Sequence, residues 1–225
     1  MKRALTFVVG LLPHCRLKIW LLQRLFGPDV DRSAHVGPVA LLRVDRLRLG
    51  PGSTIGFGNI FRDLGSLEVG TRSRIGNWNW ISAAPPLMSQ HEHSGRFALG
   101  DESAVTSRHY FDSSGGIIIG DYCTIAGVRS VFLTHGIDTV TNSQQAEAIV
   151  VRDYSLISSN VLVAAGSHIG SACHVAMGAV IPGMMLDDGW MYAGVPARQK
   201  RPTAGNHFRR TTGFVSPATD ETPPG

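Results

Sequence analysis

Aliphatic residues recur every six positions in the second half of the chain. An α-helix places apolar residues three and four positions apart, and a strand alternates them every two, so a period of six fits neither element. Four residues after most of these positions the side chain is small or β-branched, as at Ser155, Ser167 and Ala179. The pattern predicts a short repeated unit. Its aliphatic positions are Val151, Ile157, Val163, Ile169, Val175 and Ile181.

The same period extends upstream in groups of three. Three short strands and three tight corners close a triangular coil of about 18 residues, with the aliphatic side chains inside and glycine relieving strain at the corners. Stacked coils pair their strands in parallel and share one core. Seven triplets between residues 30 and 186 therefore predict an all-β parallel β-helix of about seven coils. The triplets are Val30/Val36/Leu42, Leu49/Ile55/Phe61, Val69/Ile75/Ile81, Leu99/Val105/Phe111, Ile119/Ile125/Val131, Val151/Ile157/Val163 and Ile169/Val175/Ile181.

Two of the predicted coils are much longer than the repeat requires. The extra residues lie at 82–98 and 134–150. Because the repeat itself is rigid, we expect these residues to form outward loops, and long loops on a rigid scaffold commonly carry function.

Composition and charge narrow the class of protein. The 225 residues are 43% hydrophobic and 17% charged, as in a globular domain with a sizeable core. Cys15, Cys123 and Cys173 lack the spacing of a disulfide framework or zinc knuckle, which favours the cytoplasm. The net charge is +4, yet residues 27–197 hold 11 basic and 15 acidic side chains. Because nucleic-acid binding usually spreads basic residues over a face of the fold, nucleic acid is not an expected partner.

The N-terminal segment, residues 1–28, is basic and apolar. It lacks a small-residue cleavage site, and its apolar run is too short to span a bilayer. An amphipathic helix is predicted over residues 16–26, ended by Gly27 and Pro28. Two roles remain open for it: packing on the end of the core, or peripheral contact of residues 1–26 with an anionic membrane at its inner face. The helix residues are Arg16, Leu17, Lys18, Trp20, Leu21, Arg24 and Leu25.

The repeat, the stretch "FLTHGID" and the ending "GWMYAGVPARQKR" together resemble the hexapeptide-repeat acyltransferases, in the branch that acetylates sugars and antibiotics. The resemblance covers roughly residues 30–201. It implies a left-handed parallel β-helix over residues 29–201, with acetyl-CoA as acyl donor and no metal. Family members form homotrimers with the active site between neighbours, so a homotrimer is expected. Residues 202–225 are polar and proline-containing, and they predict a disordered tail.

His135 is the candidate catalytic base. Acyl transfer to a hydroxyl needs a group that accepts the hydroxyl proton, and histidine suits this role near neutral pH. His135 follows Val131 by four and stands where the chain leaves the repeat; the resemblance implies that it is the base and that attack on acyl-CoA is direct. Asp112 or Asp138 could orient its ring, and Asp112 is preferred.

The resemblance also implies residues that contact coenzyme A. They are Ser159 as a cofactor contact, Met177 and Gly178 along the pantetheine groove, and Arg201 at the nucleotide phosphate with Lys200 beside it. Pro182-Gly183 stands where related enzymes often carry Thr-Lys, which is a departure at the adenine end.

Aromatic side chains are candidates for the acceptor site. Trp78 and Trp80 should face outward and could stack on a sugar ring or cover a neighbouring subunit, and Asp138 is a further candidate for acceptor binding. His91 and His93 form an HxH pair, but without an evident third ligand we expect no metal.

The resulting hypothesis is a cytoplasmic, acetyl-CoA-dependent O-acetyltransferase. Its acceptor would be a carbohydrate hydroxyl in polysaccharide or glycoconjugate synthesis. The alternatives are an N-acetyltransferase for an antibiotic or amino sugar, and a catalytically silent β-helix scaffold. His135 at the start of a loop distinguishes the enzymes from the scaffold.

Overall fold

The computed structural model describes residues 2–213, and most of this chain winds into a left-handed parallel β-helix with three flat faces. The chain passes through the first, second and third faces in turn, and we number the corners by the face that precedes them. The first face pairs eight strands in parallel and ends on an antiparallel ninth. Its strands are His35–Val36, Thr54–Ile55, Arg74–Ile75, Ala104–Val105, Thr124–Ile125, Leu156–Ile157, His174–Val175, Trp190–Ala193 and Arg198–Pro202.

The second and third faces share two long strands, Ala40–Leu49 and Ile60–Val69. Each bends at the second corner through one residue with positive φ, Arg43 and Asp63. The second face continues with Trp80–Ser82, Tyr110–Asp112, Val131–Leu133, Leu162–Ala164 and Val180–Ile181. The third face continues with Arg96–Leu99, Ile117–Ile119, Ile149–Val151, His168–Ile169 and Met185–Leu186.

Three columns of buried side chains form the core, one behind each face. The predicted triplets hold except at two positions. Strand register aligns Leu41 with Phe61, and Phe132 with Phe111, so Leu41 and Phe132 point inward where Leu42 and Val131 were predicted. The first corner is one residue shorter before Leu41 and one residue longer before Phe132, and these changes in corner length shift the inward position.

Two helices cover the first coil, α1 (Lys2–Leu11) and α2 (Arg16–Phe26). The sequence predicts α2 and its end at Gly27, but α1 was not predicted as a separate helix. The inner face of α2 is formed by Ile19 and Leu22, whereas Leu17 and Trp20 are about half exposed. Among the described residues, no helix combines the length and apolarity needed to cross a bilayer.

Lys18 is a fully buried lysine beneath the two helices. Its ammonium group donates to the carbonyl oxygens of Gly10 and Leu12 at 2.8 Å and of Gly37 at 2.7 Å. Burial lowers its pKa to about 8. Lys18 thereby joins α1 to the first corner of the first coil.

The last coil is closed by the strand Arg198–Pro202, which turns back along Trp190–Ala193. Residues 203–213, here called the C-terminal strap, then run back over the first face. The strap includes a 3₁₀ turn, Asn206–Arg209, and Gly213 N–H reaches the carboxylate of Glu102 at 2.8 Å. The disorder predicted from residue 202 is therefore wrong for residues 202–213, because backbone and arginine hydrogen bonds attach them to the coils. The rest of the predicted tail, 214–225, lies outside the described residues.

Candidate active site

The two predicted loops both leave the coils at the second corner. The first loop, residues 83–95, contains a 3₁₀ turn at Pro85–Leu87, and the second loop, residues 134–148, is a hairpin of His135–Asp138 with Ser143–Ala146. Gln90 of the first loop joins them: its amide donates to Gln144 O at 3.3 Å and accepts from Ala146 N–H at 3.0 Å. The loops therefore form one structure beside the corner.

Asp112 is buried where its strand reaches this corner. Its Oδ1 accepts from the Ser114 hydroxyl at 2.5 Å, and its Oδ2 accepts from the Thr134 N–H at 3.0 Å. The Thr134 hydroxyl lies 2.7 Å from the Asp112 carbonyl oxygen and accepts from Gly115 N–H at 2.8 Å. These contacts fix the carboxylate at the base of the second loop.

His135 lies at the mouth of the second loop, with its side chain 35% exposed. Its Nδ1 is 2.7 Å from Asp112 Oδ2. A carboxylate in this position accepts the Nδ1 proton, which leaves Nε2 as the basic nitrogen of the neutral ring. The pair therefore has the geometry of a general base with its orienting group.

Asp138 lies in the same hairpin but contacts its own turn. Its carboxylate accepts from Val140 N–H at 2.8 Å and from the Thr141 hydroxyl at 2.8 Å. The Thr141 hydroxyl, followed by backbone N–H groups, lowers the pKa of Asp138. Of the two aspartates considered from the sequence, Asp112 is the one that contacts His135.

A cleft of about 290 Å³ opens beside His135 on the second face. Ser82, Ala83 and Ala84 line its floor, and their small side chains keep it open. Trp80 and Tyr110 stack with ring centroids 6.4 Å apart along one side. Arg62 and Asp63 line the end away from His135. The cleft thus combines an aromatic wall, charged groups and a histidine paired with a carboxylate, which suits a polar ring-shaped ligand.

The two tryptophans predicted for the acceptor site lie in different places. Trp80 lines the cleft, and its indole N–H donates to Ser82 Oγ at 3.1 Å. Trp78 lies at the first corner, 56% exposed, in edge-to-face contact with Phe57 at 5.5 Å. The structure therefore brings Trp80 and His135 together and leaves Trp78 outside the cleft.

Three of the predicted coenzyme A residues also lie at the first corner. Gly178 N–H donates to Ser159 O at 3.1 Å, and Ser159 Oγ accepts from Val128 N–H at 3.3 Å. Met177 is 72% exposed beside them. Gly178 has φ +73°, and a Cβ there would meet no atom within 4 Å, so its backbone conformation is the feature that favours glycine.

Lys200 and Arg201 lie on the exposed strand Arg198–Pro202, the antiparallel ninth strand of the first face. Arg201 Nε approaches Met191 Sδ at 3.5 Å, and Arg201 lines a small recess of about 180 Å³ with His174 and Phe208. These two residues are separate from the group at Ser159, so any ligand contacting both groups must extend from the first corner across the last coils.

His109 has a structural environment. It is 2% exposed, its Nδ1 accepts from Ser130 N–H at 3.1 Å, and its Nε2 lies 2.9 Å from the Thr106 hydroxyl. Burial lowers its pKa to about 4. The ring is therefore a neutral part of the first corner, away from the cleft.

The HxH pair lies in the first loop, where His93 Nε2 contacts Glu92 at 3.2 Å. Within residues 2–213, the His, Cys, Asp and Glu side chains form no group of three or more suited to a metal ion. A larger groove, about 530 Å³, lies at the third corner beneath Asp101 and Asp121, but neither His135 nor Asp112 lines it. Asp101 and Asp121 bond backbone N–H groups of neighbouring coils, which is a structural role.

Sequence reasoning did not identify Arg62, Asp63 and Tyr110 as site residues. Tyr110 is one residue before an inward position, as Trp80 is, and this shared repeat position was an available signal. The charged residues Arg62 and Asp63 gave no such signal. They line the same cleft as His135 because the loops leave the coils at the second corner, and the sequence does not show which corner carries the loops.

No family model matches the sequence, and no curated protein matches it significantly. Solved structures do match. A hexapeptide-repeat acetyltransferase from Vibrio cholerae, also known in complex with acetyl-CoA, has a TM-score of 0.51 and 21% identity over 60% of this chain and 72% of its own. A maltose O-acetyltransferase from Clostridium difficile gives 0.50 and 16% over 61% and 70%.

A mutant of AntD, an N-acyltransferase from Bacillus cereus solved with dTDP and coenzyme A, gives a TM-score of 0.51 and 16% identity over 68% of this chain and 84% of its own. These similarities confirm the predicted fold class. They also confirm the resemblance to hexapeptide-repeat acetyltransferases at the level of the fold.

Proposed function

We propose that this protein is an acetyl-CoA-dependent O-acetyltransferase that modifies a carbohydrate hydroxyl. The observation that carries the proposal is the His135–Asp112 pair, 2.7 Å apart, at the side of a cleft with an aromatic wall. Aromatic faces suit sugar rings, and an oriented histidine suits a hydroxyl nucleophile. Solved structures of the same fold include acetyltransferases, one of them with acetyl-CoA bound.

In the proposed reaction, the acceptor hydroxyl attacks the thioester carbonyl of acetyl-CoA while Nε2 of His135 removes its proton. Asp112 holds Nδ1–H and stabilises the imidazolium that forms. The C–S bond then breaks, and the imidazolium returns the proton to the departing thiolate. The products are the acetyl ester and free coenzyme A, and His135 is neutral again. For the donor, we propose that Ser159, Met177 and Gly178 contact the pantetheine and that Lys200 and Arg201 contact the phosphates.

The test is release of coenzyme A from acetyl-CoA with a panel of neutral, acidic and amino sugars. We expect turnover with a hydroxyl acceptor, and His135→Ala should lower it by roughly two to four orders of magnitude, the usual size of a general-base contribution. His168→Ala is the matched control, because His168 is exposed on the third face. Turnover with amines alone would favour the N-acetyltransferase alternative, and no turnover with folded protein would favour the scaffold.

We further propose that the second face is a subunit interface of a homotrimer. The strand register aligns Trp80, Tyr110 and Leu162 in one outward column, and their side chains are 38–44% exposed. Exposed apolar side chains aligned along a flat face are typical of subunit contacts. Such an interface would place the cleft between neighbouring subunits.

We also propose that the N-terminal helices contact the inner face of an anionic membrane from the cytoplasm. Leu5, Val8 and Leu11 lie at steps of three along α1 and are 48–57% exposed, and Trp20 of α2 is 49% exposed with Arg24 over its ring at 5.1 Å. Residues 1–28 contain no acidic residue. We expect the protein to sediment with phosphatidylglycerol vesicles but not with phosphatidylcholine vesicles. Equal recovery of the protein in the pellet without vesicles would overturn this proposal.

A further inference from the structure

A buried carboxylate holds two arginines at the end of the cleft opposite His135. The Asp63 side chain is 4% exposed and forms ion pairs with Arg43 and Arg62. Arg43 Nη2 donates to Asp63 Oδ2 at 2.7 Å, and Arg62 Nε donates to the same oxygen at 3.0 Å. Two guanidinium groups on one carboxylate leave one positive charge in excess at this end.

Arg62 is the arginine that lines the cleft. Asp63 accepts from its Nε, so the two Nη groups and their four N–H donors remain for another partner. The side chain is 52% exposed, yet its anchoring by a buried group limits the rotamers it can adopt. A fixed guanidinium with its Nη edge available matches the geometry of a carboxylate or phosphate.

The strand register fixes how far Arg62 lies from the base. Arg62 aligns with Ser82, and Ser82 aligns with Asp112, so two strand spacings separate Arg62 from Asp112. At 4.7–4.9 Å a spacing, this is roughly 10 Å along the face. The floor between them consists of Ser82, Ala83 and Ala84, which leaves space for one sugar ring.

We propose that the acceptor carries an anionic group, a carboxylate or a phosphate, and that Arg62 binds this group while His135 deprotonates a hydroxyl about one sugar ring away. The inference rests on the proposed function and gives its acceptor a charge class. Trp80 and Tyr110 would contact the ring, and Arg62 would determine specificity. Arg43 keeps Asp63 paired when Arg62 is replaced, so the subsite can be removed without leaving a buried charge alone.

The experiment compares three acceptors: a neutral methyl hexoside, the matching methyl uronide, and the matching hexoside phosphate. Arg62→Gln should raise the KM of the preferred charged acceptor by roughly 10- to 100-fold, the usual range for a lost charge-assisted pair. The KM for acetyl-CoA and for the neutral acceptor should change by less than about twofold. Arg62→Lys should recover part of the affinity. Arg46→Gln, at an exposed arginine of the third face, is the matched control.

Two results would overturn the proposal. One is a wild-type protein that acetylates the neutral hexoside as efficiently as either charged sugar. The other is an Arg62→Gln protein whose activity falls equally with all three acceptors. The uronide and phosphate arms distinguish the two anions. Binding of the three sugars can also be measured by ligand-observed NMR without acetyl-CoA. This measurement tests the anion subsite independently of the proposed acetyl transfer. Charged-sugar binding that depends on Arg62 would support the subsite even without turnover, and absence of such binding would reject it.

Discussion

The carboxylate of Asp112 connects the coil to the imidazole ring of His135. The same Oδ2 accepts from Thr134 N–H, at the end of the coil, and from Nδ1 of His135, at the start of the loop. Because Thr134 and His135 are adjacent, one oxygen fixes both the backbone and the side chain at this point. Local structure and ring orientation therefore depend on the same atom.

Asp112→Asn should disturb both roles. If the amide oxygen takes the place of Oδ2, it keeps both bonds and the NH₂ faces Ser114; if the NH₂ takes that place, the Thr134 N–H and the ring both lose their acceptor. If the NH₂ faces the ring, Nδ1 must accept and Nε2 carries the proton, which is the wrong tautomer for a base. We expect turnover to fall by roughly 10²- to 10⁴-fold and the free energy of unfolding by about 1–3 kcal/mol.

Asp138→Asn is the matched control for that experiment, since its carboxylate bonds within its own turn. Its turnover and unfolding should stay near those of the wild type. Equal losses in the two variants, measured by steady-state kinetics and urea unfolding, would contradict the role assigned to Asp112.

His109 predicts a dependence of stability on pH. Its pKa is about 4 in the folded protein, below its ordinary value of 6.5, because burial disfavours the charged ring. Between these values the unfolded chain binds a proton that the folded chain does not, so stability falls as pH decreases from 6.5 to 4. The contribution of this one ring is about 3 kcal/mol across the window.

The measurement is urea unfolding at several pH values between 4 and 7. His109→Gln should flatten the pH dependence, and His168→Gln, at an exposed histidine, should leave its slope unchanged. An unchanged slope in the His109 variant would show that other groups cause the acid sensitivity.

At the scale of elements, the C-terminal strap is attached to the first face by hydrogen bonds. Arg210 donates to the carbonyl oxygens of Tyr122 and His207 and to the Thr124 hydroxyl. Arg210→Ala should therefore lower the free energy of unfolding by about 1–2 kcal/mol, while turnover stays near wild type because the strap lies away from the cleft.

The neighbouring Arg209 supplies the control for the strap. It is exposed, and its guanidinium bonds the side chain of Asn206. Arg209→Ala should change stability by less than about 0.5 kcal/mol. Thermal unfolding that shifts equally in both variants would mean that the Arg210 contacts do not hold the strap.

Most of the fold could be predicted from the sequence because each coil repeats one simple requirement: an apolar side chain behind each face. The prediction fails at Leu42 and Val131, since the preceding corners differ by one residue in length and the six-residue period does not encode that difference. The strap could not be predicted either. Its attachment uses backbone groups and arginines, whose partners are far away in sequence.

The candidate site was predictable in part for the same reason. His135 stands at a visible break in the repeat, and Asp112 lies one coil earlier, so repeat positions bring the two close. Arg62 lies two strands from Asp112 and needs the register of three coils to be placed. Ser159 and Met177 occupy matching positions of the first corner in consecutive coils, and Gly178 directly follows Met177.

For the whole molecule, the proposed homotrimer predicts a measurable mass. Light scattering at micromolar concentration should report about three times the chain mass of 24.2 kDa. Leu162→Asp, on the outward side of the second face, should dissociate the assembly, because it would bury a charge in an apolar contact.

Met185→Asp is the control for the interface, since Met185 is 75% exposed on the third face. The assembly should survive this change. A wild-type monomer, or dissociation by both substitutions, would contradict an interface on the second face.

The two ends of the coil stack are closed in different ways, and this bears on how the protein avoids polymerising. An open coil exposes a row of unpaired backbone groups on which another copy could continue the stack into a fibre. At the beginning, α1, α2 and the ammonium of Lys18 cover the first coil and occupy a carbonyl oxygen of its corner. At the other end, Arg198–Pro202 reverses direction against the last strand of the first face and presents five exposed residues, three of them basic. Each end thus carries its own barrier to further strand pairing: a buried cation beneath two helices at one end, and a charged edge at the other.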